Sequence, residues 1–129
     1  MTAWIAIVLL IALGLAAYRA GASRCAARRF AGRVFHSTPA YCGWYALHGA
    51  VLPGIFVYVA AYAAFLARLG SLPAGVLITL SAAASLAGMA WAYSRIRPDL
   101  RARNAVEKTV MGVLLCASFV SILTTLGIV

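Results

Sequence analysis

Residues 41–67 read YCGWYALHGAVLPGIFVYVAAYAAFLA: 27 positions with no formal charge and one histidine, His48. A helix needs about 20 apolar residues to cross the hydrocarbon core of a bilayer. Val, Ile, Leu, Ala and Gly are mixed here without the period-2 alternation of a barrel strand. The stretch reads as a transmembrane helix, and the rest of the chain follows the same pattern. Met1–Tyr18 carries no charge, nor does Leu69–Ser94 or Thr109–Val129. The reading is an all-α integral membrane bundle of four transmembrane helices, at about 2–18, 41–67, 73–94 and 108–129.

Composition agrees. Of 129 residues, 65% are hydrophobic and 10% charged, against roughly 45–50% and about 25% in soluble domains. Mean hydropathy is +0.98. This excludes a disordered chain and an ordinary cytosolic enzyme. Eleven Lys and Arg against two acids give a net charge of +9. In a soluble protein that excess would point to nucleic acid. Here the basic residues cluster between apolar runs, so nucleic acid is not an expected partner and membrane lipids are.

The basic residues set the orientation. Loop 19–40 holds Arg19, Arg24, Arg28, Arg29 and Arg33, and loop 95–108 holds Arg95, Arg97, Arg101, Arg103 and Lys108. The loop near 68–72 holds only Arg68. The positive-inside rule makes the first and third loops cytoplasmic and leaves both termini outside. A signal peptide carries its positive charge before the apolar run; here Arg19 follows it. Trp4 is expected at the outer interface, and Tyr18, Tyr41, Trp44, Tyr45, Trp91 and Tyr93 near the inner one.

Local signals refine the segments. Arg24, Arg28, Arg29 and Arg33 suit one face of a short amphipathic helix on the membrane surface. Such a loop either sets topology or contacts anionic lipid or a cytoplasmic partner. Pro39 suits the first turn of the second helix, with Ser37 or Thr38 as its cap. Pro53 removes the donor to the Gly49 carbonyl and predicts a kink. His48 is the only ionisable side chain inside a span. Such residues default to a functional hypothesis, against which stands a neutral ring bonded to a neighbouring helix. An acidic relay partner inside the membrane is absent from the sequence.

In the third span Ser81/Ser85, Ala84/Gly88 and Gly88/Ala92 are each spaced by four, which lets helix backbones approach closely. Ser118, Ser121 and Thr125 form a weakly polar stripe on the fourth. Pro98 ends the third helix. Asn104 is a candidate cap for the fourth, with Glu107 near its positive end. Cys25, Cys42 and Cys116 lack the spacing of a disulfide framework or zinc site and read as small apolar residues. Catalytic triads, paired carboxylates, metal clusters and phosphate-cradling glycine loops are all missing from the sequence, so neither enzyme activity nor a cofactor is expected. The last helix reaches Val129 without a charged or aromatic anchor, which suggests a chain that continues.

Two stretches together carry a resemblance. One is His36-Ser37-x-Pro39-x-Tyr41-x-Gly43, followed by Pro53. The other is Arg101-Ala102-Arg103-Asn104-x-Val106-Glu107, followed by a helix ending Ile122-Leu123-Thr124-Thr125-Leu126-Gly127-Ile128-Val129. They resemble the N-terminal part of the extended PstC-type permease of the bacterial phosphate ABC transporter. The resemblance implies a multi-pass protein of the bacterial inner membrane. It implies a three-helix extension over residues 1–94, a basic cytoplasmic linker over 95–108, and the start of the permease core over 109–129. It further implies a second permease subunit, a cytoplasmic ATPase dimer and a periplasmic phosphate-binding protein as partners. The remaining core helices and the ATPase-coupling loop are not in this sequence, so no phosphate-contacting residue is carried over. The alternative is a stand-alone four-helix membrane protein, such as a membrane-associated enzyme of glutathione metabolism. Small multidrug exporters need a carboxylate in the first helix, whereas Asp99 and Glu107 both lie in a loop by this reading.

Overall fold

A computed structural model describes residues 2–30, 37–66, 70, 73–97 and 99–128. Arg33, His36, Arg68 and Pro98 lie outside the described residues, as do the side chains of Arg28 and Arg29. Four helices follow one another: α1 (Thr2–Phe30), α2 (Pro39–Leu66), α3 (Ala74–Arg95) and α4 (Ala102–Ile128). Each contains a stretch long and apolar enough to cross a membrane. Large apolar side chains such as Trp4, Phe56, Met111 and Phe119 point outward, 62–74% exposed. Lipid tails are as apolar as a protein core, so this outward face is at home in a bilayer and not in water.

Two helices are longer than the apolar runs alone. Residues 19–30 are a continuation of α1, which corrects the loop and separate amphipathic helix expected there. The cause is local: Ala and Arg dominate this stretch, both favour helix, and no proline interrupts them. At 29 residues α1 is about 43 Å long, more than the ~30 Å core, so its arginine-bearing end extends beyond the apolar layer. Likewise α4 begins at Ala102 and not near 108. Only residues 96–101 separate it from α3.

The central helix is α2, which packs against each of the other three; α1 also touches α3. Small residues line these seams. A Cβ added to Gly21 of α1 would stand 2.7 Å from both the Ala46 Cβ and the Cys42 carbonyl oxygen. On the other side of α2, a Cβ added to Gly88 of α3 would collide with the Gly49 carbonyl oxygen and reach 2.8 Å from Pro53 Cγ. Pro53 is what frees that oxygen: it has no N–H to offer the residue four positions back. The Gly88 Cα–H in place of a side chain points at it, a weak Cα–H···O contact. α2 nevertheless runs through Pro53 as one helix. Ser81, Ser85 and Ala92 are buried on the same face of α3, as their spacing predicts.

The buried cluster lies at one end of the bundle, where Cys25, Cys42, Ala46, Ile96 and Ala102 meet. α4 is different. Among the described residues it packs only against α2, and every position from Val110 to Gly127 is exposed.

Candidate functional site

The arginine-bearing helix ends converge at this buried cluster. The Arg24 guanidinium lies 4.0 Å over the Tyr93 ring, and that of Arg95 lies 5.1 Å over Trp91. Tyr18 meets Trp44 edge-on with ring centroids 5.6 Å apart. Four of the six aromatic residues expected at one interface are thus gathered at one end, stacked among themselves or under cations.

One hydroxyl ties this end together. Ser37 Oγ donates to the Leu100 carbonyl oxygen at 2.8 Å and accepts from the Ala102 backbone N–H at 2.9 Å. Ser37 therefore caps α4, not α2. The first backbone bond of α2 runs instead from Cys42 N–H to the Thr38 carbonyl at 3.2 Å, with Pro39 in the first turn. Asn104 is not a cap: it sits exposed within the first turn of α4. Glu107 lies a turn further on and accepts from Arg103 Nε at 2.8 Å, an exposed i, i+4 pair. Both corrections have the same cause, the early start of α4 at Ala102. Arg101 is the exposed residue just before that start.

Two cysteines meet at this end within the apolar core. Cys25 and Cys42 are buried with their sulfurs 2.7 Å apart. They come from different helices, 17 residues apart in sequence, so no spacing motif announces them. Cys116 is exposed on α4.

A cleft of about 540 Å³ opens between α2, α3 and α4, with His48 and Pro53 in its wall. Tyr45 and Trp91 border it, Ala87 and Gly88 of α3 form one side, and Thr109 of α4 another. His48 does not reach a neighbouring helix. Its Nδ1 lies 2.7 Å from the Trp44 carbonyl oxygen of its own helix. A carbonyl only accepts, so this contact assigns the ring proton to Nδ1. Much of the α3 wall of the cleft is Ala84, Ala87 and Gly88, which offer no side-chain partner. Thr109 is turned to its own helix as well, donating to the Ala105 carbonyl at 2.9 Å. Ser118 and Thr125 do the same along α4, each 2.9 Å from the carbonyl four residues back.

The seven residues singled out in the sequence thus divide. His48 and Pro53 share the cleft, and Pro39 and Arg101 flank the two backbone ends that Ser37 joins. Arg103, Asn104 and Glu107 lie exposed on the first turns of α4. No group of three His, Cys, Asp or Glu among the described residues is arranged to hold a metal ion. What the sequence reading missed is Ser37 as an interhelical tie, the Cys25–Cys42 pair, and the cleft. No family model matches the sequence, and neither a curated protein nor a solved structure matches it.

Proposed function

We propose that this chain is the N-terminal membrane part of an inner-membrane permease subunit of an ATP-driven bacterial phosphate importer. In this reading it serves as a scaffold or regulatory extension, not as the path of the ion. The observation that carries the reading is the uneven packing. α1, α2 and α3 bury small faces against one another, whereas α4 leaves the whole of Val110–Gly127 exposed. That is the division expected of a three-helix extension followed by a helix whose partners are further transmembrane helices. The spans support the second half of the proposal. A path for an oxyanion needs positive or N–H-donating groups at membrane depth, because an uncompensated charge there costs several kcal/mol. Lys and Arg lie toward the helix ends, and between them the described spans offer His48, Ser118 and Thr125, each bonded to its own helix, and the buried Ser85 hydroxyl, a single neutral group with no hydrogen-bond partner among the described residues. The partners of this reading are a second permease subunit, a cytoplasmic ATPase dimer and a periplasmic phosphate-binding protein, with the arginine-bearing end facing the cytoplasm.

Labelled-phosphate uptake tests the proposal. Residues 1–129 reconstituted in liposomes are expected to show no saturable uptake above empty vesicles. Deleting residues 1–94 from the gene in its source cell should lower phosphate uptake and leave sulfate uptake unchanged. Saturable uptake by the isolated chain would overturn the scaffold role, and unchanged cellular phosphate uptake would overturn the assignment to a phosphate importer.

A further inference from the structure

We propose that the cleft between α2, α3 and α4 is a binding site for one anionic phospholipid, with an acyl chain along Ala84, Ala87 and Gly88 and the phosphate at Arg95. Four observations lead there. The cleft, about 540 Å³, falls within the 300–1,000 Å³ of small-molecule sites, and its walls are almost wholly apolar. It is also short. From Ala84 to Arg95 α3 rises about 16 Å, one leaflet of a ~30 Å core. A transmembrane helix laid in a groove needs both leaflets, whereas an acyl chain needs one.

The third observation is charge. Arg95 stands over Trp91, which borders the cleft, so a cation lies one ring away from the cleft wall. Arg95 has no ion pair among the described residues; the one present joins Arg103 to Glu107. Glu107 is thereby neutralised, and Asp99 is the other acid at this end, exposed in the turn before α4. The fourth is Tyr45, which also borders the cleft and whose hydroxyl has no hydrogen-bond partner among the described residues. A guanidinium and a phenol beside an apolar slot match a phosphodiester above a fatty chain: two donor groups for the oxygens and a dry wall for the tail. A neutral or zwitterionic lipid fills the slot equally but brings no net negative charge to Arg95. The inference does not depend on phosphate transport.

Lipid capture by the purified chain tests it. The protein is equilibrated with detergent micelles holding equal amounts of phosphatidylglycerol and phosphatidylcholine, and retained lipid is read by native mass spectrometry. Phosphatidylglycerol is expected to be retained at one molecule per protein, in excess over phosphatidylcholine. Arg95→Gln should lower that preference about tenfold, the scale of one charge-assisted contact. Ala87→Trp, which fills the slot away from the Gly49–Gly88 seam, should reduce retention of both lipids. Arg24→Gln removes an equal charge at the same end on the Tyr93 side and should change nothing. Equal loss in Arg24→Gln and Arg95→Gln would mean a diffuse basic surface and overturn the site. Full retention by Ala87→Trp would overturn the chain slot. Displacement of the lipid by millimolar inorganic phosphate would reassign the anion to a free oxyanion and overturn the lipid.

Discussion

The Ser37 hydroxyl oxygen lies 2.9 Å from the backbone nitrogen of Ala102, so a residue before α2 caps the helix that begins 65 positions later. The same hydroxyl donates to Leu100, which makes it both donor and acceptor across the α3–α4 turn. This one side chain fastens the three-helix unit to α4 at its arginine-bearing end.

Removing it should loosen α4. Ser37→Ala is expected to cost about 1–2 kcal/mol, the loss of a cap and of a second part-buried bond. Thermal unfolding in detergent measures it. Ser37→Thr should retain most of the stability, since its hydroxyl can make both bonds. Equal losses for Ala and Thr would show that packing, not the hydroxyl, matters at this position.

The α2–α3 seam makes a sharper contrast. Gly88 faces the Gly49 carbonyl directly, while a Cβ at Gly112 of α4 would meet nothing within 4 Å. Gly88→Leu should therefore force the helices apart and cost about 1–3 kcal/mol or more. Gly112→Leu should leave unfolding within about 0.5 kcal/mol of the parent. Comparing the two melting curves under one detergent condition decides whether the seam is built as described.

Cys25 and Cys42 should close to a disulfide under a mild oxidant such as diamide. Both thiols give up their protons, and two electrons pass to the diazene, which becomes a hydrazine. After denaturation and maleimide treatment, intact mass should then show one alkylated cysteine, Cys116. Three alkylated cysteines after oxidation would contradict the contact between α1 and α2 at this level.

His48→Ala should be mild. The ring bonds to a carbonyl of its own turn, and intramembrane side-chain bonds average about 0.6 kcal/mol. A loss well below 1 kcal/mol is expected in thermal unfolding and, under the proposed function, His48→Ala should leave cellular phosphate uptake unchanged. Abolished uptake at normal expression would give His48 a role in the cycle that its single local bond does not show.

How much of this was legible in the sequence differs by element. Four apolar runs, the clusters of arginine and the spacing of Ser81, Ser85, Gly88 and Ala92 sufficed for four spanning helices and a small-residue seam. Bilayer thickness and backbone satisfaction act on each segment separately, so composition is enough. Helix ends were less legible. Residues 19–30 and 102–108 look like loops by charge, yet charge does not break a helix, and good helix formers carry α1 and α4 onward. Beyond the small-residue face of α3, which residues meet across helices was not legible. The Ser37 hydroxyl fits a cap for α2 or for α4, and only the proximity of the α3–α4 turn directs it to Ala102. The Cys25–Cys42 pair and the cleft beside His48 depend on how α1, α3 and α4 are rotated about α2. That rotation is settled by where glycines let backbones touch, a property of two surfaces meeting and of neither sequence segment alone.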